Sequence, residues 1–340
     1  MTILEQMLKT NKKNMKVVIT IGTGNSGCGA VHDFLIKSTK FKNPFVWHEF
    51  RMINDPDGIL NLYHNFYKNC SINNSSNAVM RFKNYINNLI NLEMKVNNKN
   101  NKIYSKKILS LADEYINNIT TLNYGAYPQF ISIQKNFFKQ KISNLKKRVF
   151  RSKNDQDIFK MYLPVKENIF IKETKKFISK IIKYQLKNSN TNYIIFDQAF
   201  SIFNFTNVFS YFDDAKVILV TRDPRGIYNS MKTRKSGAYP HNLKVWTEWY
   251  NQIMKKYDDY KKKIPKKFKK KILEVRFENF CQNYEKEQKK ILEFLNIKKI
   301  NNDFDISESK FNAHKAKKKL SDFENKYIKK KLPKYLQWQV

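Results

Sequence analysis

Half of the eight glycines in this 340-residue chain fall within one stretch of eight residues, at Gly22, Gly24, Gly27 and Gly29. They follow Val17-Val18-Ile19-Thr20-Ile21, an apolar run that reads as a strand buried on both faces. After them, Ala30-Val31-His32-Asp33-Phe34-Leu35-Ile36 has the apolar spacing of a helix. A strand, a glycine turn and a helix present backbone N–H groups and a helix N-terminus to an anion. Glycine lets the backbone curl tightly and approach a phosphate with no Cβ in the way. Thr23, Gly24, Asn25, Ser26, Gly27, Cys28 and Gly29 are therefore the candidate phosphate cradle. Three other arrangements share this pattern. Gly22 to Gly27 satisfies GxGxxG, with Glu49 where a ribose-binding acid of an NAD(P) oxidoreductase would stand. The phosphate-loop pattern GxxxxGK[ST] starts at Gly22 but meets Cys28-Gly29 where Lys and Ser/Thr belong, so ordinary ATP or GTP hydrolysis is poorly supported. A tight turn holding no ligand also fits.

A second motif follows a second strand. Lys216-Val217-Ile218-Leu219-Val220-Thr221 leads into Arg222-Asp223-Pro224-Arg225-Gly226-Ile227-Tyr228-Asn229-Ser230. Pro224 suits the first turn of a helix, and Asp223 suits its N-cap. Arg222 is then fixed at the strand's carboxyl end, with Ser230 two turns along the helix. A forked guanidinium and a hydroxyl so placed can grip one phosphate together. An Asp–Arg surface pair plus a helix cap is the alternative reading of RDPR.

The two motifs together resemble the sulfotransferases that use 3′-phosphoadenosine 5′-phosphosulfate (PAPS) and release the bisphosphate PAP. The resemblance implies that Thr23 to Gly29 hold the 5′-phosphosulfate and that Arg222 and Ser230 hold the 3′-phosphate. Lys271 to Phe280, KILEVRFENF, resembles the family's later strand ending L-R-Y-E-D-L, with Phe277 in place of a common Tyr. Many family members carry Lys at the position of Asn25. The resemblance therefore implies that backbone amides or another cation shield the bridging oxygen, and Arg51 is one candidate. A basic C-terminal loop that closes over the nucleotide would fall at Asn312-Ala313-His314-Lys315. The acceptor implied is a hydroxyl or amine, with a saccharide favoured.

Sulfuryl transfer needs positioning, charge stabilisation and a base at the acceptor. Phe45 to Arg51 reads as a second strand whose carboxyl end opens on the same crevice. In similar carbohydrate sulfotransferases a Glu or His near this point is the base, which makes Glu49 the first candidate and His48 the second. Alternation allows only one of them to face the acceptor. A Glu49–Arg51 pair on one strand face is the alternative. Asp197 ends the strand Tyr193-Ile194-Ile195-Phe196 and can contact the acceptor or cap a helix.

These residues require a mostly parallel central sheet flanked by helices, an α/β fold. A single domain over 1–340 is expected, with a largely helical insertion over 51–190 capping the acceptor site. Within it, Ile108-Leu111-Ala112-Tyr115-Ile116 and Phe170 to Leu186 have helical periodicity, while Asn69 to Asn77 and Val96 to Lys102 read as exposed loops. Trp246, Trp249, Tyr250, Ile253, Met254 and Tyr257 form an amphipathic stripe expected in the core. The formal charge of +36 admits a polyanionic partner. It equally reflects a chain rich in Lys, Asn and Ile, and no nucleic-acid-binding signature supports the former. Cys28, Cys70 and Cys281 lack metal or disulfide spacing, and no metal site is expected. A polar N-terminus and the absence of a run of about eighteen apolar residues lead to an expectation of no membrane span and a cytoplasmic protein.

Overall fold

The computed structural model describes residues 15–45, 49–96, 102–128, 158–186, 191, 193–233, 238–301 and 303–337. The chain divides into two compact units, one of residues 1–50 and 186–340, the other of 51–185. Strand β1 (Lys16–Gly22), helix α1 (Cys28–Ile36) and the short β2 (Phe41–Lys42) open the first unit. The second unit contains α2 (Ile72–Val96), α3 (Lys102–Asn118), the strands β3 (Thr120–Ala126) and β4 (Phe159–Pro164), and α4 (Glu167–Gln185). The first unit then resumes with β5 (Tyr193–Asp197), β6 (Asp214–Thr221), α5 (Pro224–Thr233) and α6 (Leu243–Lys262). It ends with β7 (Ile272–Arg276), α7 (Phe277–Gln282), α8 (Tyr284–Leu295), α9 (Ser307–Lys319) and α10 (Asp322–Lys331).

The first unit is built on a five-stranded sheet in the order β2-β5-β1-β6-β7, every pair parallel. This is the α/β architecture expected. Alternation along the strands sorts the core into two faces. Val18, Ile218, Val220 and Val275 pack against Val31, Phe34 and Leu35 of α1 and Phe277, Phe280 and Ile291 of α7 and α8. Ile19, Ile21, Val217 and Leu219, also buried, point to the opposite face. There Leu219 shares a cavity wall with Tyr250, Met254 and Tyr257 of α6. The stripe on α6 is core at Trp246, Tyr250, Met254 and Tyr257.

The second strand lies earlier than the sequence suggests. Phe41 and Lys42 pair with Tyr193 and Ile194, whereas from Phe45 to Arg51 the described residues retain one isolated bridge, Glu49 to Asp197. Aromatic packing accounts for the difference. The Phe45 and Phe50 rings stack at 4.6 Å and both lean on Phe196, at 5.8 and 5.2 Å. Rings five residues apart cannot stack along an extended strand, so Phe45 and Phe50 do not share one continuous strand. Arg51 begins a short helix instead of ending a strand.

The described residues of the second unit are helical apart from an antiparallel pair, β3 with β4, that the sequence reading does not anticipate. Thr121 to Gly125 of β3 are exposed, Leu122 and Tyr124 included, so the strand has no buried apolar face. The polar run before Asn77 is likewise not a loop, because α2 starts at Ile72. Ser75 and Ser76 are buried, the Ser76 hydroxyl donating to the Ile72 carbonyl (2.6 Å) and accepting from the Tyr162 N–H (2.9 Å). Residues 97–101, within the other expected loop, lie outside the described residues. No helix among the described residues is long and apolar enough to cross a membrane.

Candidate functional site

The carboxyl ends of β5, β1, β6 and β7 meet at one edge of the sheet, where the strand order reverses direction, as ligand crevices of open α/β sheets do. The glycine turn leaves β1 there. Gly27 is the N-cap of α1 and takes φ +90°, in the left-handed region that favours glycine. A Cβ on Gly27 would lie 2.2 Å from the Phe277 ring. Asn25 also adopts a positive φ, 63°, which Asn tolerates better than most residues. The first N–H groups of α1 have no intrahelical acceptor and stand at the turn. Ser26 turns inward: it is fully buried beneath Gly22, and its N–H is used by the Thr23 carbonyl at 2.9 Å. Gly24 and Thr23 remain at the surface side of the turn, and Gly29 has open space where a Cβ would be.

Cys28 is buried in the first turn of α1. Burial, and then the neighbouring Asp197 charge, push its thiol well up, so it remains protonated and is no nucleophile.

Arg222 sits at the end of β6 with 6% of its surface exposed. Its Nη1 donates to the Ser230 hydroxyl at 3.1 Å and to the Asn25 carbonyl at 3.0 Å, and Nη2 donates to the Asn312 carbonyl at 3.2 Å. The guanidinium lies over the Phe277 ring, 4.7 Å from its centre. Arg222 therefore faces the glycine turn and joins the two sequence motifs. Asp223 and Arg225 do different work. Asp223 accepts from the Arg225 N–H (2.9 Å) and its carbonyl from the Ile227 N–H (3.1 Å), which is the N-cap geometry expected. Its carboxylate also forms a buried pair with the Arg225 side chain at 2.8 Å and accepts the Gln337 N–H at 3.0 Å. Burial alone would raise its pKa, but the Arg225 and Gln337 bonds outweigh this and hold it below the usual range. The Asp–Arg pair and the helix cap thus both exist, and they leave Arg222 to point elsewhere.

Two partners of Arg222 are not evident from the motif. Phe277 supplies the ring beneath it. Gly226 supplies the space beside it, since a Cβ there would stand 2.8 Å from Nε. Glycine inside a helix is destabilising, and that cost is a sequence signal for a close approach. The expected C-terminal loop is part of α9, and Asn312 contributes its carbonyl to Arg222 from within that helix.

On the other side of β1, Thr20 donates to Asp197 Oδ1 at 2.7 Å. Asp197 is half-buried, and desolvation raises its pKa despite the Thr20 bond. The chain turns sharply after it: Gln198 takes φ +48°, its N–H bonds the Thr20 carbonyl (2.8 Å), and its side-chain amide donates to Cys28 Sγ (3.2 Å). Glu49, half-buried, is held beside Asp197 by the backbone bridge. His48 lies outside the described residues. Arg51 belongs to the second unit, where its Nε donates to Asp55 at 2.9 Å. No group of His, Cys, Asp and Glu among the described residues could hold a metal ion.

A family model described as "Sulfotransferase family" matches residues 118–301, more than half of the chain. The matched span includes Asp197, Arg222 and Ser230 and stops short of the glycine turn. Among solved structures, sulfotransferase STF1 from Mycobacterium tuberculosis H37Rv is similar at 9% identity, covering 96% of this chain and 78% of that one, with a TM-score of 0.39. The sulfotransferase domain from the curacin biosynthetic pathway is similar at 10% identity, covering 95% and 99%, also with a TM-score of 0.39. No curated protein matches the sequence.

Proposed function

The chain belongs to the sulfotransferase family, enzymes that use PAPS as sulfuryl donor and release PAP, and on that premise we propose how its residues divide the work. Family membership sets aside the dehydrogenase and nucleic-acid-binding readings. Arg222 and Ser230 bind the 3′-phosphate, the guanidinium through its forked donors and the hydroxyl as a third donor. Gly226 and Phe277 hold the guanidinium in place. The N–H groups at the first turn of α1, together with Thr23, bind the 5′ end, where glycine keeps the approach clear. PAPS supplies the sulfuryl group that the acceptor receives.

Glu49 is the general base, taking the proton from the acceptor hydroxyl. Its bridge to Asp197 keeps it at the carboxyl edge of the sheet. Asp197, anchored by Thr20, contacts the acceptor. A saccharide is the favoured acceptor, because the placement of Glu49 after the first βα unit resembles enzymes that sulfate sugars; this step is analogy of placement.

The observation that carries the proposal is the Arg222 guanidinium bonded at once to Ser230 and to the carbonyl of Asn25 in the glycine turn. Calorimetric titration with PAP tests it. Wild type is expected to bind, and Arg222→Ala to lose at least about tenfold in affinity, the worth of one charge-assisted hydrogen bond. A folded Arg222→Ala variant that binds PAP as wild type does would remove the 3′-phosphate assignment.

A further inference from the structure

A cavity of about 270 Å³ opens at the carboxyl edge of β1, β6 and β7. Its lining includes Leu219, Glu274 and Arg276, and the pairing register puts Leu219 beside Glu274 and Thr221 beside Arg276 on the α6 face of the sheet. Arg222, by contrast, packs on Phe277, within the core of the α1 face. The cavity thus meets the nucleotide grip, with Gly22, Thr23 and Arg222 forming part of its wall, and extends from there along the α6 face of the sheet to Arg276.

The polar groups of this cavity are unevenly matched. Its two carboxylates are already engaged: Glu274 pairs with Lys261, and Asp258 pairs with Lys334 and accepts the Tyr335 hydroxyl at 3.3 Å. Its donors are not. Among the described residues, the Arg276 guanidinium has no ion pair or hydrogen bond, and neither do the hydroxyls of Tyr250 and Tyr257; the Gln337 side-chain carbonyl in the same lining is also unpartnered. Tyr250 and Tyr257 are only 2% and 5% exposed. Burial raises the pKa of both phenols, so they stay O–H donors at neutral pH. A ligand complementary to these three donors must bring acceptors, and the planar fork of Arg276 matches two oxygens of one carboxylate or sulfate. The volume is just under the range of about 300–1,000 Å³ usual for small-molecule sites, which suits a single ring.

We propose that this cavity binds an oxyanion carried on one ring of the acceptor, with Arg276 as its anchor and the Tyr250 and Tyr257 hydroxyls bonding the ring oxygens. Arg276 is then a specificity determinant that favours acidic over neutral acceptors. The inference rests on the sulfuryl-transfer reading, since it makes the cavity the place where an acceptor meets Thr23.

The test uses the full chain saturated with PAP and three probes: methyl glucuronide, glucose 6-sulfate and methyl glucoside. Dissociation constants are read by ligand-observed NMR for wild type, Arg276→Gln and Arg276→Lys, with the PAP affinity of each protein measured alongside. At least one acidic probe is expected to bind about tenfold or more tightly than the glucoside, and the tighter of the two identifies carboxylate or sulfate as the group recognised. Arg276→Gln is expected to abolish that preference, Arg276→Lys to retain part of it, and PAP affinity to stay unchanged in both. Equal binding of all three probes to wild type, or a preference that survives Arg276→Gln, overturns the proposal. A parallel loss of PAP affinity in Arg276→Gln also overturns it, by assigning the residue to the nucleotide. Failure of wild type to bind PAP would instead reject the donor assignment. The probe comparison, run without nucleotide, would still decide the cavity.

Discussion

Substituting Gly226 by Ala sets the stability of α5 against the position of the guanidinium beside it. Gly226 has no positive φ, so alanine is compatible with its backbone. In an otherwise open helix the change is worth about 0.5–1 kcal/mol in favour of folding. Here the new Cβ would stand 2.8 Å from Arg222 Nε, 3.3 Å from Cζ and 3.4 Å from Nη2. Ordinary contact needs about 3.5 Å or more, so Nε must retreat by roughly 0.7 Å. The bonds from Arg222 to Asn25, Ser230 and Asn312 measure 3.0, 3.1 and 3.2 Å, already toward the long end of the normal range, so the shift breaks at least one. Losing one charge-assisted donor to a phosphate costs about 1.5–3 kcal/mol, or roughly tenfold to more than a hundredfold in affinity. Gly226→Ala is therefore expected to weaken PAP binding by at least tenfold and to lower the melting temperature slightly by calorimetry, because the broken bond costs more than the helix gains. In an Arg222→Ala background the same change should leave PAP affinity where it was, because the two residues act through one group. Wild-type PAP affinity in Gly226→Ala, or an equal loss in both backgrounds, would refute the idea that this glycine positions the arginine.

Two further outcomes concern the acceptor side. Glu49→Gln is expected to lower sulfuryl transfer from labelled PAPS by about 10²-fold or more, the usual worth of a general base, with PAP affinity unchanged; undiminished turnover would exclude Glu49 as the base. Asp197→Asn is expected to raise stability at neutral pH. Desolvation lifts the folded-state pKa of this acid above its ordinary value, so the wild-type fold binds more protons than the unfolded chain between the two values and loses stability as pH rises through the folded one. The advantage of the amide should shrink as pH falls below the folded pKa, and denaturant melts at a series of pH values would show a constant difference if the reasoning is wrong.

The parts of the site legible in the sequence are those fixed by short-range pattern. β1 and β6 are continuous apolar runs because both faces of a central parallel strand are buried, and the turn after each is then located without ambiguity. Ser230 lies two turns into α5 and Arg222 just ahead of it, so the arginine side chain reaches the serine by running along one face of the helix. Gly226 lies midway on that face, yet its purpose depends on how a side chain from the preceding strand folds back, which spacing does not encode. The misplacement of β2 has a similar cause. Phe45 to Phe50 has the composition of a strand, but the Phe45 and Phe50 rings pack on Phe196, nearly 150 positions later, a contact that local composition does not encode. Ser75 and Ser76 read as loop residues because their polarity is visible in the sequence, whereas the Ile72 carbonyl and Tyr162 N–H that satisfy the Ser76 hydroxyl are supplied by the fold.

The bond from Arg222 to the Asn25 carbonyl has a bearing on turnover. Under the proposed assignment, the grip on the 3′ end is assembled during folding and waits in its binding geometry. Charged and spent nucleotides are identical at that end, so this grip holds both with equal strength. Telling one from the other falls wholly to the turn before α1, where an asparagine stands in place of a cation. The spent nucleotide then competes with the charged one for the same grip, and inhibition by this by-product is the expected consequence.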